Sequence, residues 1–163
     1  MTERPKIDIR LFEIDDLQAL CRLIFRTIET SYSGVYPPRA IAFFKQFHSE
    51  EKVLQRIETG VILVAEQDSQ LIATASLDGQ EITAVFVDPD RQRFGFGQLL
   101  MKDLEARARK SGMRETVLSV SLPSRKFYER LGYQMVEERC RDLGDGQSLK
   151  FWKAKKRLVS PTE

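Results

Sequence analysis

Histidine, cysteine and tryptophan are scarce in this chain: its 163 residues include one histidine, His48, two cysteines, Cys21 and Cys140, and one tryptophan. The cysteines stand far apart with no CxxC or cysteine–histidine spacing, so neither a disulfide framework nor a zinc site is expected, and no metal is assigned. Neither charge sign dominates, since 26 Lys and Arg against 24 Asp and Glu leave a net +2. That balance lacks the basic surplus of proteins that neutralise a phosphate backbone, so nucleic acid is not an expected partner. Long apolar runs are missing too. Glu3, Arg4, Lys6, Asp8, Arg10 and Asp15 interrupt the first stretch, and nothing reaches signal-peptide or membrane-span length. The expectation is a cytoplasmic protein without a membrane partner. There is no repeat and no low-complexity linker, which predicts one domain over residues 1–155 and a frayed tail at 156–163, read from "KAKKRLVSPTE".

What is present alternates between two periods. "KIDIRLF" predicts a half-buried strand, with Ile7, Ile9 and Leu11 on one face. Leu17, Leu20, Ile24 and Ile28 follow at helical spacing, with Asp15 or Asp16 placed to cap the helix. "SYSGVYPP" breaks it, "RAIAFFKQF" predicts a second helix, and residues 50–58 a third. Then period two takes over in "VILVAEQ", "QLIATASL" and "EITAVFV", joined by Asp- and Gly-bearing breaks that suit an antiparallel meander. A long helix, the strand "ETVLSV", the short helix "SRKFYERLG" and a last hairpin complete the order. The fold class is therefore mixed α/β (α+β), with six to seven mainly antiparallel strands, helices on both faces, and the long helix crossing between the fourth and fifth strands.

That long helix begins oddly, in "VDPDRQRFGFGQLL". Gly95 and Gly97 sacrifice helix stability that alanine would keep, but they free the backbone where the first-turn N–H groups have no intrahelical acceptor. Such a turn suits an anion, and Arg91 and Arg93 add charge beside it. It is not a P-loop, because Gly97 is followed by Gln98 and Leu99. Nor is it a dinucleotide fingerprint, because Leu100 stands where a third small residue is needed.

The stretch resembles the coenzyme-A pyrophosphate motif of the GCN5-related N-acetyltransferase (GNAT) superfamily. Val87 and Pro89 match its strand end, and Gln92, Gly95 and Gly97 match its loop. "SLPSRKFYERLGYQMV" is similar to the family's later motif through Phe127, Tyr128, Glu129, Gly132 and Tyr133, and the likeness extends from Ile7 to Trp152. The chain departs from many relatives in carrying Ser121 where an asparagine is common and Ser124 where alanine is frequent.

The resemblance implies a GNAT-type fold and acetyl transfer from acetyl-CoA to a primary amine of a small molecule or peptide, by direct attack in a ternary complex. No cysteine lies in either motif to form an acyl-enzyme. It implies pyrophosphate binding by Gln92, Arg93, Phe94, Gly95, Phe96, Gly97 and Gln98, further cofactor contacts at Ser121 and Ser124, and an oxyanion donor in the N–H of Phe86 or Val87. Tyr128 is the implied general acid, since a phenol with pKa about 10 stays protonated at neutral pH. Glu81 is the leading general base, with Glu29 and His48 behind it. Tyr32, Tyr36, Phe43 and Phe44 are candidates for walling an acceptor pocket. A homodimer is compatible with all of this. Two other classes share the motif: a non-catalytic coenzyme-A-binding module, which retention of Tyr128 disfavours, and a toxin-like enzyme acting on charged tRNA. The latter's only basic run is Lys153 to Arg157.

Overall fold

The centre of the protein is the meander that period-two alternation predicts. The computed structural model describes residues 6–159. Strands β2 (Val61–Gln67), β3 (Gln70–Asp78) and β4 (Glu81–Val87) run antiparallel, and β1 (Ile7–Leu11) pairs outside β2. Helices α1 (Leu17–Tyr32), α2 (Pro38–Phe47) and α3 (Glu50–Thr59) lie between β1 and β2. After β4, helix α4 (Phe96–Lys110) crosses to β5 (Glu115–Ser121), which runs parallel to β4 as a helical crossover requires. Helix α5 (Arg125–Arg130) then leads to the hairpin of β6 (Gln134–Gly144) and β7 (Gln147–Arg157). The sheet order is β1-β2-β3-β4-β5-β7-β6, with β4–β5 the one parallel pair.

Each face of the sheet has its own core. On one, α4 lays Leu100, Met101, Leu104 and Ala108 on Leu63, Ile72, Ile82 and Val120. On the other, Leu20, Ile24 and Ile28 of α1 meet Val53, Val64, Phe86 and Leu149. Burying each such aliphatic side chain contributes about 1.5–3 kcal/mol. The caps differ from expectation: Asp16 does not cap α1. Its carboxylate accepts the Glu13 N–H at 2.8 Å in a short 3-10 turn before the helix and is gripped by Arg10 at 2.7 Å.

The last hairpin is longer than the sequence predicts. Its strands continue through "LGDGQ" up to a tight turn in which Gly144, Asp145 and Gly146 take positive φ values of 84°, 51° and 70°. At the other end, Lys155 to Arg157 belong to β7 and pair with Val117, Thr116 and Glu115 of β5, Lys155 also with Gln134 of β6, and Leu158 is buried with its N–H donated to the Arg114 carbonyl at 2.8 Å. The expected tail at 156–163 therefore does not begin at 156, and residues 160–163 of it lie outside the described residues. Backbone pairing with β5 outweighs the polarity that suggested a frayed end.

Candidate active site

Strand β4 carries the feature that opens the site. Thr83 pairs with Ser76 and Phe86 with Thr74, so Ala84 and Val85 face Ala75 alone, a β-bulge with Ala84 at φ 55°. The extra residue reverses the alternation: Ile82 faces α4, yet Phe86 turns to the α1 side and Val87 to the α4 side. Beside the bulge, β4 and β5 pair only at Glu81–Val117 and Ile82–Leu118 and then part.

Hydrogen-bond alternation decides which backbone groups face that gap. Asp88 N–H donates to the Ile72 carbonyl at 2.7 Å, so Thr74–Phe86, two residues along, is again a hydrogen-bonded pair. Phe86 N–H is thereby committed to β3, which corrects its candidacy as an oxyanion donor. Its ring instead lines the cleft. Val87, between Phe86 and Asp88, points its N–H to the open side.

The gap widens into a cleft of about 580 Å³. Tyr128, Glu81, Ser121 and Ser124, far apart in sequence, all line it, with Ser121 and Ser124 joined Oγ to Oγ at 2.7 Å. Tyr128 is 6% exposed, packed edge-on against Phe127 and Tyr133 at centroid distances of 5.0 and 5.8 Å. Burial, reinforced by the neighbouring Tyr32 and Tyr133, raises its phenol above the usual range, so it keeps its proton at neutral pH. Tyr133, its partner in the sequence motif, plays another part. Its hydroxyl bonds Thr116 at 2.8 Å and Glu105 at 3.4 Å, and Lys156 closes the network on Glu105 at 2.6 Å. Glu81 is exposed at the cleft mouth.

The segment from α1 to α2 walls the far side, as its aromatics suggested. Tyr32, Phe43, Phe44, Phe47 and His48 face the cleft. Tyr36 instead pins the wall: its hydroxyl donates to the Lys150 carbonyl at 2.8 Å and accepts the Leu122 N–H at 2.9 Å, and burial pushes its pKa up to about 12. Glu29 is not in the cleft; it pairs with Lys45 on the surface, which removes it from the candidate bases. His48 is there, 5% exposed, edge-on to Phe86 at 5.0 Å. Arg56 donates to its Nδ1 at 2.8 Å, which leaves the ring proton on Nε2. Burial and then the Arg56 charge push its pKa down to about 3. A neutral, donor-only imidazole follows.

Around the corner, the loop before α4 has the shape the glycines imply, for reasons that differ between them. Gly95 takes φ 87° and Arg93 φ 73°, alternating turns that aim N–H groups to one side. The N–H groups of Phe94 through Gln98 meet no acceptor among the described residues. Gly97 has an ordinary φ; a Cβ there would stand 3.0 Å from Phe127 Cζ and 3.3 Å from Val87 Cγ2, so its smallness lets α4 seat against α5 and β4. Gln92 Nε2 holds the Val87 carbonyl at 3.1 Å. Arg91 donates to Gln67 Oε1, away from the loop, so Arg93 is the loop's arginine.

Sequence reasoning missed the third wall. Arg139, Arg141, Phe151 and Lys153 of the β6–β7 hairpin line the cleft, as does Cys140. Only strand alternation across a correctly paired hairpin could have found them, with Arg139 opposite Phe151 and Arg141 opposite Leu149. The same alternation divides the basic run: Lys153 faces the cleft while Lys156 turns to Glu105 on α4, so no single face collects it.

A bulged fourth strand splayed from a parallel fifth, with a glycine-bearing loop opening the crossover helix, defines a class. Residues 30–145 match the model of the acetyltransferase (GNAT) domain, and the chain belongs to that family. Over 132 residues it is 27% identical to an uncharacterized N-acetyltransferase, YafP, of Escherichia coli, covering 81% of this chain and 84% of the relative. It is 25% identical over 145 residues to the spermidine N(1)-acetyltransferase of Thermoplasma acidophilum, covering 80% and 90%. The crystal structure of the PaiA N-acetyltransferase of that organism, in complex with coenzyme A, shares the fold with a TM-score of 0.78 at 24% identity, over 93% of this chain and 99% of that one.

Proposed function

We propose that this GNAT acetyltransferase transfers an acetyl group from acetyl-CoA to a primary amine of a small molecule or peptide, by direct attack within a ternary complex. The observation that carries the reading is the parting of β4 from β5 beyond Ile82, which gives the Val87 N–H no ladder partner on β5, next to a cleft lined by Val85, Tyr128 and Glu81. The run of free N–H groups at 94–98, with exposed Arg93 beside it, fits a pyrophosphate.

Acetyl-CoA supplies the thioester. Val87 N–H is the donor placed to stabilise the carbonyl oxygen as it gains charge. As the C–N bond forms and the C–S bond breaks, Tyr128 gives its proton to the departing sulfur, and the surplus amine proton passes to Glu81 directly or through water. Solvent at the cleft mouth then restores Tyr128. The hydroxyl of Ser121, which stands where many relatives carry an asparagine, and that of Ser124 serve the cofactor arm.

The test is Tyr128→Phe, followed by release of free coenzyme A thiol. Because the ring and its packing remain, kcat should fall by about 10²-fold with little change in acetyl-CoA affinity. An unchanged kcat would remove Tyr128 from the reaction.

A further inference from the structure

The cleft lining is short of carboxylates and rich in positive charge. Its charged lining is Arg139, Arg141 and Lys153 against one carboxylate, Glu81. Arg139 has Glu137 at 3.0 Å. The other two have no carboxylate within 4.0 Å among the described residues. Arg141 lies over the Phe43 ring at 4.7 Å, and Lys153 donates to Ser119 Oγ at 2.8 Å with the Phe151 ring 5.9 Å away. His48, its Nδ1 already accepting from Arg56, offers only an N–H. Aromatic rings fill the space between these groups.

We infer that the acceptor is an amine that also carries a carboxylate on an apolar body, of the size of a hydrophobic amino acid or dipeptide, and that polyamines are excluded. This rests on the acetyl-transfer reading above. Arg141 would hold the carboxylate with its planar fork, and Lys153, four residues along the hairpin register, would add its charge to the same cleft. The rings of Phe43, Phe44 and Phe151 would hold the body. The same two cations would repel a second ammonium group, which a polyamine must bring. They also disfavour the protonated form of the reacting amine, so it reaches the thioester neutral and needs little help from a base.

The experiment measures kcat/KM by thiol release on the full chain with four acceptors, L-phenylalanine, L-phenylalaninamide, spermidine and phosphoethanolamine, and acetyl-CoA binding by calorimetry. The wild type is compared with Arg141→Glu and Lys153→Met. Expected is a preference of at least about tenfold for phenylalanine over its amide and over spermidine. Arg141→Glu should abolish or invert that order while acetyl-CoA binds as before, and Lys153→Met should shrink it.

Equal or better turnover of the amide or of spermidine by the wild type overturns the proposal. So does a preference for phosphoethanolamine, which would make the anion a phosphate. So does turnover of none of the four by a protein that binds acetyl-CoA. Loss of acetyl-CoA binding in a folded Arg141→Glu variant would assign these cations to the cofactor instead. Failure of the wild type to bind acetyl-CoA would overturn the transferase reading itself.

Discussion

On the α4 side of the sheet, Leu100, Met101 and Leu104 are sealed at 0% exposure against the strands. On the α1–α2 side, the same strands face rings that stand apart: Phe43 and Phe44 are half-buried, Phe47 is 45% exposed, and a 580 Å³ cleft lies between them and β4. One inserted residue in β4 separates the two behaviours, because it decides which side chains reach which face. Stability is thus concentrated where packing is continuous, and chemistry where pairing stops.

Five perturbations would break or sharpen that contrast. Among substitutions at neutral pH the largest effect should come from Leu104→Ala, which leaves a cavity in the sealed face and should cost about 3 kcal/mol in urea unfolding. Phe47→Ala on the open face should cost less than about 1 kcal/mol while raising the acceptor KM. Equal costs would show the two faces to be alike.

Acid should act next, through the open face. His48 binds a proton near pH 6.5 when unfolded but only near 3 when folded. Between those values the unfolded chain carries the extra proton, so stability is present above about pH 6.5 and is lost as pH falls, at up to about 1.4 kcal/mol per unit. Asp16, held low by Arg10, adds a loss of the same sign at still lower pH, below about 4. A His48→Gln variant should flatten the upper part of the curve; an unchanged slope there would mean that His48 titrates normally.

Gly97→Ala should destabilise by about 1 kcal/mol, the crowding against Phe127 and Val87 outweighing the gain in helix propensity. By shifting Phe127 it should also lower kcat through the adjacent Tyr128. The smallest change in stability belongs to Ala84→Gly. Relief of the φ 55° backbone and the added freedom of glycine should cancel to within about 0.5 kcal/mol, yet a looser bulge should still slow turnover. Thermal melts beside thiol-release kinetics check both.

Where local pattern governs, the sequence is a good guide: the bounds of β2 and β4 follow directly from period two, and α4 from its Leu100–Leu104–Ala108 stripe. The loop from Gln92 to Gln98 and the helix carrying Tyr128 were legible because each is one continuous stretch with a family resemblance. The bulge was not legible, since Ala84 takes a left-handed turn without the glycine that usually announces one. Nor were Arg139, Arg141 and Lys153, which reach the cleft only through the register of a hairpin that looked shorter and more polar than it is. The pairing of His48 with Arg56 was not legible either, because Arg56 sits on the next helix, two turns on.

The measurement that bears most directly on the whole account is a calorimetric titration of the folded protein with acetyl-CoA, beside Arg93→Glu. Arg93 is exposed on the loop, so reversing its charge spares the packing that Gly97 supports. Saturable one-to-one binding, weakened at least about tenfold by the reversal, is the predicted result. A folded wild type that gives no binding heat and no competition with labelled coenzyme A would contradict it.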